Sequence, residues 1–186
     1  MQSYKIKDLM VPLSDYATVS EDATLFEAVK ELEKAQEEYN KARYKHRGIL
    51  VYDKNKKIIG KLGQLDVLKS LEPKYFEMQD QAGVKSFGFS RHFMKSMLEH
   101  LSLLDGAMVN ICKKAGQTKV GNLVVKPTEG EFVDIDASID EAIHQLVMGQ
   151  HQSLLVTDHK GDIVGILRLT DIFSTISKTM HECGIE

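Results

Sequence analysis

The chain has little cysteine and no long hydrophobic run, and both absences narrow the classes of protein it can belong to. Cys112 and Cys183 are the two cysteines among 186 residues, and they form no CxxC pair. This excludes a disulfide framework and favours a reducing compartment. The first residues lack the apolar stretch of a secretory signal, and no apolar run approaches the ~18 residues that span a bilayer. We expect a cytoplasmic protein with no membrane partner.

An excess of charge of one sign is also lacking, as are catalytic motifs. The 24 basic and 27 acidic side chains leave a net charge of −3, so no global field attracts DNA or RNA. The sequence has no GxSxG, HExxH or P-loop lysine motif. The histidine pairs His92 with His100 and His144 with His151 lack further ligands at zinc-like spacing. We predict no nucleic-acid partner, no catalytic residue and no metal site.

The chain does contain an internal repeat of one sequence unit. Residues 6–32 align without gaps with residues 120–146, and residues 46–68 align with residues 151–173. Glycine and acidic positions are matched as well as apolar ones, including Gly60 with Gly165 and Asp66 with Asp171. A unit of about 60 residues buries only a small core, so the two copies should pack together. The cleft between them is the first place to look for function.

Each copy predicts the same order of elements. Capping boxes at Thr24–Glu27 and Ser138–Glu141 predict the start of a first helix, which in copy one should continue as a polar helix to Lys45. Two apolar runs joined by turn residues then predict a hairpin, and a second helix follows from Leu65 or from Thr170. With a short leading strand, each unit is predicted to be β-α-β-β-α.

The segment between the copies predicts a helical insertion. From Ser90, apolar residues recur at helical spacing through Phe93, Met97 and Leu104, and the pattern extends toward Ile111. The Met-rich face favours packing on the repeats, and it also suits a partner or oligomer surface because methionine adapts its shape.

The duplicated unit resembles a CBS domain, and the tandem resembles the CBS pair called a Bateman module. The segments that carry the resemblance are Asp8–Pro12, Asp22–Ala28, Gly48–Asp53 and Ile59–Asp66 in copy one, and Asp136–Ala142, Ser153–Asp158 and Val164–Asp171 in copy two. The resemblance implies an α/β (α+β) fold of two β-α-β-β-α repeats packed about a pseudo-two-fold axis, with a helical insertion between them. The expected division is 1–70 for repeat one, 71–117 for the insertion, 118–180 for repeat two and 181–186 for a C-terminal tail.

The resemblance also implies a function. Members of the family are usually regulatory, and many bind an adenosine derivative between the repeats: AMP, ADP, ATP, S-adenosylmethionine or NAD. We therefore expect a non-enzymatic sensor that forms a homodimer and signals to an unidentified protein partner in trans. The alternative is a ligand-free interaction or oligomerisation scaffold that uses the Met-rich insertion.

Ribose recognition is implied for two carboxylates. Asp66 and Asp171 match the family residue that accepts hydrogen bonds from the ribose hydroxyls, and a carboxylate suits this task because it only accepts. Either residue also stabilises the start of a helix without any ligand.

Phosphate recognition is implied for basic residues at the start of the central strands. These are His46 and Arg47 in copy one and His151 in copy two. The sequence departs from the family where nucleotide binders carry Ser or Thr, since it has Gly63 and Arg168 there. Arg168 can meet a phosphate through its planar fork, so we expect a nucleotide to prefer the cleft at Asp171 over the cleft at Asp66.

Overall fold

The structure is a computed structural model that describes residues 4–38, 45–80, 90–106 and 109–182. The first repeat contains α1 (Ile6–Leu9), β1 (Val11–Pro12), β2 (Thr18–Ser20), α2 (Leu25–Glu38), β3 (Gly48–Tyr52), β4 (Ile58–Gly63) and α3 (Gln64–Ser70). The insertion contains α4 (Lys74–Asp80), α5 (Arg91–His100) and α6 (Ile111–Gln117). The second repeat contains β5 (Phe132–Asp134), α7 (Ile139–Gly149), β6 (Ser153–Thr157), β7 (Ile163–Arg168) and α8 (Leu169–Glu182), and short 3-10 turns precede β2 and β5.

The two repeats form two sheets with the same internal pairing. In each, the first strand runs parallel to the central strand, which pairs with the last strand in an antiparallel hairpin. Val51 faces Gly60 in one sheet, and Val156 faces Gly165 at the equivalent place in the other. The mixed α+β fold and the duplication predicted from the sequence are therefore confirmed.

The leading segment of each repeat lies on the sheet of the other repeat. Val11 of β1 pairs with Ile166 of β7, which makes the second sheet four-stranded in the order β1-β7-β6-β5. Val125, the equivalent residue of repeat two, makes an isolated bridge to Lys61 of β4. The brief first strand predicted for each unit is confirmed in that unit's own sheet, as β2 and β5. The apolar segment before it, which the sequence did not assign to a sheet, lies on the sheet of the other unit.

The hydrophobic cores follow this exchange. Ile6 is buried in the core of the second repeat, whereas Val120 and Leu123 are buried in the core of the first. A third cluster joins the repeats and contains Val11, Tyr16, Leu50, Leu155 and Ile166. Burial of apolar surface drives folding, so neither repeat completes its core alone. The two copies therefore form one body, with a seam between them.

The insertion packs on the first repeat through α6, which lies against α2. The Glu72 carboxylate connects two loops of the insertion, because it accepts hydrogen bonds from the backbone N–H groups of Lys74 (3.2 Å) and Leu104 (3.0 Å). The predicted helix start at Ser90 is confirmed, since its hydroxyl accepts from the Phe93 N–H group at 3.1 Å. The helix ends at His100, however, because the backbone then turns through left-handed residues, so it does not continue to Ile111.

One further helical prediction needs correction. α2 is helical through Glu38, residues 39–44 lie outside the described residues, and Lys45 is not helical, so the helix does not reach Lys45. Among the described residues, every helix is too short or too polar to cross a membrane.

Candidate functional site

A cavity of about 440 Å³ opens between the two repeats at the start of α3. Both repeats supply its walls, with the ends of the last strands on one side and the starts of the central strands on the other. Its lining includes Tyr16, Lys45, Arg47, Lys61, Gly63, Asp66, Glu131, His151, Ser153 and Arg168. This mixture of cations, carboxylates and apolar wall suits a polar ligand with a flat apolar part.

Asp66 presents a carboxylate to this cavity. Its Oδ2 accepts from the Gly63 N–H group at 2.9 Å, and the Lys69 Nζ atom lies 3.7 Å from its Oδ1. The Asp66 side chain remains 26% exposed, so it is accessible to a ligand. Gly63 has no side chain to cover it, and even a single Cβ there would lie 3.3 Å from the Asp66 Oδ2 atom.

Asp171 occupies the equivalent position in repeat two, and its surroundings differ. Its Oδ2 accepts from the Arg168 backbone N–H group at 3.3 Å, as Asp66 does from Gly63. The Arg168 side chain then folds onto the same carboxylate, with Nε 2.7 Å from Oδ2 and Nη2 2.5 Å from Oδ1. Arg168 is only 4% exposed. Both carboxylate oxygens therefore accept from a buried guanidinium, a bidentate geometry in which such bonds are strong.

His46 completes the packing around Arg168. The Arg168 Nη1 atom lies 3.3 Å from His46 Nδ1, and the Tyr16 ring meets the imidazole edge to face at a centroid distance of 4.3 Å. Burial, reinforced by the Arg168 charge and opposed by Asp171, lowers the pKa of His46 to about 4. The imidazole is therefore neutral at pH 7 and can accept a hydrogen bond from Arg168.

The two equivalent clefts differ because two positions exchange a large side chain for glycine. Tyr16 and Arg168 stand in the cleft at Asp171, and the aligned positions in the cleft at Asp66 are Gly130 and Gly63. His151, the counterpart of His46, lies near Gly130 and lines the cavity. The Arg168 side chain thus covers the Asp171 carboxylate, whereas the Asp66 carboxylate faces the open cavity.

An ion pair that the sequence did not reveal crosses the open cleft. The Lys61 Nζ atom lies 2.8 Å from Glu131 Oε2 and donates to the Ser153 carbonyl at 3.0 Å, which joins the repeats. Burial opposes the charge of Glu131, but the hydrogen bonds from Lys61 and the Thr128 N–H group outweigh it and lower the pKa of the carboxyl. The sequence did contain a signal for this pair, because two opposite charges stand where the other copy has the apolar residues Ile166 and Ala17.

A second charged cluster lies on the surface of repeat two. The His159 Nδ1 atom is 3.8 Å from Asp134, and its Nε2 atom is 3.1 Å from Asp136. These three exposed side chains are close enough to share a cation. The ammonium groups of Lys5 and Lys7 lie 3.8 Å from Asp136, so the cluster is already supplied with positive charge.

The CBS domain model matches the chain over residues 6–73 and 120–178, which are the two structural repeats. The chain belongs to the CBS domain family. A search of curated protein sequences gives no match.

Solved structures show that the whole chain has the fold of a CBS pair. The CBS-pair protein CBSX2 from Arabidopsis thaliana is 16% identical with a TM-score of 0.61, covering 97% of this chain and 99% of that chain. CBSX2 in complex with AMP is 18% identical with a TM-score of 0.58, covering 95% and 98%. A conserved hypothetical protein from Geobacillus kaustophilus is 15% identical with a TM-score of 0.60, covering 96% and 99%.

Within this CBS pair, the residues proposed from the sequence fall into two groups. Asp66, Arg47, His151 and Arg168 line the open cavity. His46 and Asp171 are not among its lining residues and lie behind Arg168. The guanidinium that the sequence offered to a phosphate is already bound to Asp171, so the geometry does not support the expected preference for the Asp171 cleft.

Proposed function

We propose that this CBS pair is a cytoplasmic, non-enzymatic regulatory module that binds an adenosine derivative in the open cleft at Asp66. The ligand class is AMP, ADP, ATP, S-adenosylmethionine or NAD, and the output passes to a protein partner in trans. The observation that carries this proposal is the contrast between the clefts: the Asp66 carboxylate borders a cavity of about 440 Å³, whereas Asp171 is bound by Arg168.

Ribose is the group that best matches Asp66. One carboxylate oxygen is held by the Gly63 N–H group, and the side chain keeps partial exposure toward the cavity. A carboxylate held in this way accepts from two neighbouring hydroxyl groups without reorganising, as in dinucleotide folds. Gly63, which lines the cavity without a side chain, leaves room for a sugar beside it.

Phosphate is matched by the basic side chains around the cavity. Lys45 and Arg47 line it from the first repeat, His151 lines it from the second, and Lys61 reaches into it from β4. Arg47 is charged at all physiological pH values, and its fork suits a phosphate. We therefore expect phosphorylated adenosine derivatives to bind more tightly than adenosine. The AMP complex of CBSX2, a structural neighbour, supports this choice of ligand class.

Signalling would follow from the location of the cavity at the seam. Lys61 and Asp66 belong to repeat one, whereas Glu131, His151 and Ser153 belong to repeat two. A ligand that contacts both repeats favours one relative orientation of them, and it shifts the balance only by its difference in affinity for the two orientations. A partner that reads this orientation would then sense the nucleotide.

Calorimetric titration of AMP, ADP, ATP, S-adenosylmethionine and NAD tests the proposal. The informative variant is Asp66→Asn, which keeps an acceptor for the Gly63 N–H group but removes the second ionised oxygen. We expect the affinity of the best ligand to fall at least tenfold. The matched control is Asp140→Asn, an exposed first-turn aspartate of α7 that does not line the cavity. Failure of the parent protein to bind any of the five ligands would refute the proposal.

A second candidate function is supported by an apolar groove of about 590 Å³ beside the insertion. Its walls come from α3, α4 and α5, and they include Leu65, Leu68, Tyr75, Met78, Met94 and Met97. Leu65 is 63% exposed and Leu68 59% exposed, and an exposed apolar patch of this kind supports an interaction role. We propose that a second copy of the chain covers it in a homodimer, the interaction role foreseen for residues 71–117. Light scattering should then report about twice the monomer mass of 21.0 kDa.

A further inference from the structure

We propose that Arg168 and Tyr16 are built-in occupants of the cleft at Asp171, so that each chain binds one nucleotide and not two. This inference rests on the proposed function of the open cleft. It assigns a specific role to the two large side chains that distinguish the clefts, and it predicts that both clefts can be converted into each other by substitution.

The guanidinium of Arg168 takes the place that ribose hydroxyls would need. Its Nε and Nη2 atoms donate to both oxygens of Asp171 at 2.7 and 2.5 Å. A ribose binding there would have to displace a guanidinium that is 4% exposed. Displacement would leave a buried cation without its carboxylate, which is costly in a protein interior.

Tyr16 and His46 seal the same cleft sterically. The Tyr16 ring contacts the His46 imidazole edge to face, and the Arg168 Nη1 atom lies 3.3 Å from His46 Nδ1. Tyr16 is 8% exposed and His46 is 1% exposed, so both are packed in place. The neutral imidazole fits this arrangement because a second cation beside Arg168 would be repelled.

The open cleft shows what the filled one becomes without these side chains. Gly63 keeps the backbone hydrogen bond to Asp66 that Arg168 makes to Asp171, with N···Oδ2 distances of 2.9 and 3.3 Å. Glycine at position 63 therefore preserves the start of the helix and leaves the carboxylate accessible. Gly130 likewise leaves the face of His151 uncovered by an aromatic ring.

The first experiment places an arginine beside Asp66, as the chain itself has Arg168 beside Asp171. Gly63→Arg recreates at Asp66 the residue found at Asp171, and we expect nucleotide binding to fall at least a hundredfold with the melting temperature retained. The matched control is Gly116→Arg, which adds the same side chain at an exposed position of α6 where a Cβ has no neighbour within 4 Å and which should bind as the parent protein does. Binding by Gly63→Arg at the parent affinity would overturn the inference.

The second experiment opens the filled cleft by the double substitution Tyr16→Gly with Arg168→Gly. Calorimetric titration with ADP should show two binding sites per chain in the double variant and one in the parent protein. Circular dichroism checks that the variant is folded. A parent protein that already binds two nucleotides per chain overturns this inference but leaves the proposed function intact. A parent protein that binds none, with a double variant that binds one, supports the inference and refutes the proposed function. Absence of binding in both proteins overturns both.

Discussion

A Cβ atom on Gly165 would lie 2.6 Å from the carbonyl oxygen of Val11, which belongs to the leading segment of the other repeat. At the equivalent place, a Cβ atom on Gly60 would lie 2.6 Å from Val124 Cγ1 and 3.0 Å from the Val125 carbonyl oxygen. The duplicated glycines are therefore where each sheet accepts the exchanged segment of its neighbour. Any side chain at either position would push that segment away from the seam.

Alanine at these glycines should destabilise the protein. We expect Gly165→Ala to lower the free energy of unfolding by about 1–3 kcal/mol, the usual cost of overpacking a well-packed site. Gly60→Ala should cost less, because its nearest neighbour is a side chain that can move rather than a backbone oxygen. Urea denaturation followed by circular dichroism measures both.

The control for these substitutions is Gly116→Ala. Gly116 lies in α6, and a Cβ there would have no neighbour within 4 Å. Alanine is favoured over glycine inside a helix by roughly 0.5–1 kcal/mol, so this variant should be slightly more stable than the parent protein. A destabilisation of Gly116→Ala as large as that of Gly165→Ala would contradict the steric explanation.

The two site carboxylates should differ in their effect on stability. Asp171→Ala removes the partner of a buried guanidinium, and breaking such a pair typically costs about 3–5 kcal/mol. Asp66→Ala removes a hydrogen bond to the Gly63 N–H group at the start of α3, which we expect to cost about 1 kcal/mol. Chemical denaturation of the two variants compares these losses directly. Equal losses would show that Arg168 does not depend on Asp171.

Local signals in the sequence predicted the starts of the helices correctly. The Thr24 N–H group donates to Glu27 Oε2 at 2.7 Å, and the Glu27 N–H group donates back to Thr24 Oγ1 at 3.2 Å. The Glu141 N–H group donates to the Ser138 hydroxyl at 3.2 Å in the other copy. These contacts join residues three apart, so a short stretch of sequence contains all the information they need.

Long-range pairing could not be predicted in the same way. The pairing of Val11 with Ile166 joins segments far apart in the chain, and a pattern of apolar residues does not identify the partner of a two-residue strand. The role of Arg168 was missed for a related reason. Its side chain binds Asp171 in a buried environment where it also contacts His46, a residue remote from it in sequence.

Stability should depend on pH through His46. The unfolded chain binds a proton at this histidine near its ordinary pKa of 6.5, whereas in the fold the pKa is lowered to about 4. Between these values the unfolded state binds more protons, so stability rises with pH. The contribution of His46 is therefore complete above about pH 6.5 and is lost as the pH falls toward 4, with a slope of at most ~1.4 kcal/mol per pH unit.

His46→Gln isolates this effect from the titration of other groups. Tyr16, Arg168 and Asp171 still surround the substituted side chain, and glutamine carries no charge over this range. Urea denaturation at pH 7, 6 and 5 should show the stability difference between the parent protein and the variant shrinking as the pH falls. A difference that stays constant from pH 7 to pH 5 would show that the histidine does not titrate below its ordinary range.

The Lys61–Glu131 pair should contribute measurable coupling across the seam. Both side chains are about one fifth exposed, at 26% and 17%, so solvent screens the pair only in part. The aligned positions in the other cleft suggest the apolar replacements Lys61→Ile and Glu131→Ala. We expect each single variant to lose about 1 kcal/mol of unfolding free energy, and the double variant to lose less than the sum by about 1 kcal/mol.

The control cycle uses Lys95 and Glu99, which are 3.7 Å apart with side chains 74% and 64% exposed and should couple by only ~0.3–0.5 kcal/mol. Equal coupling in the two cycles would mean that the seam gives Lys61 and Glu131 no special environment.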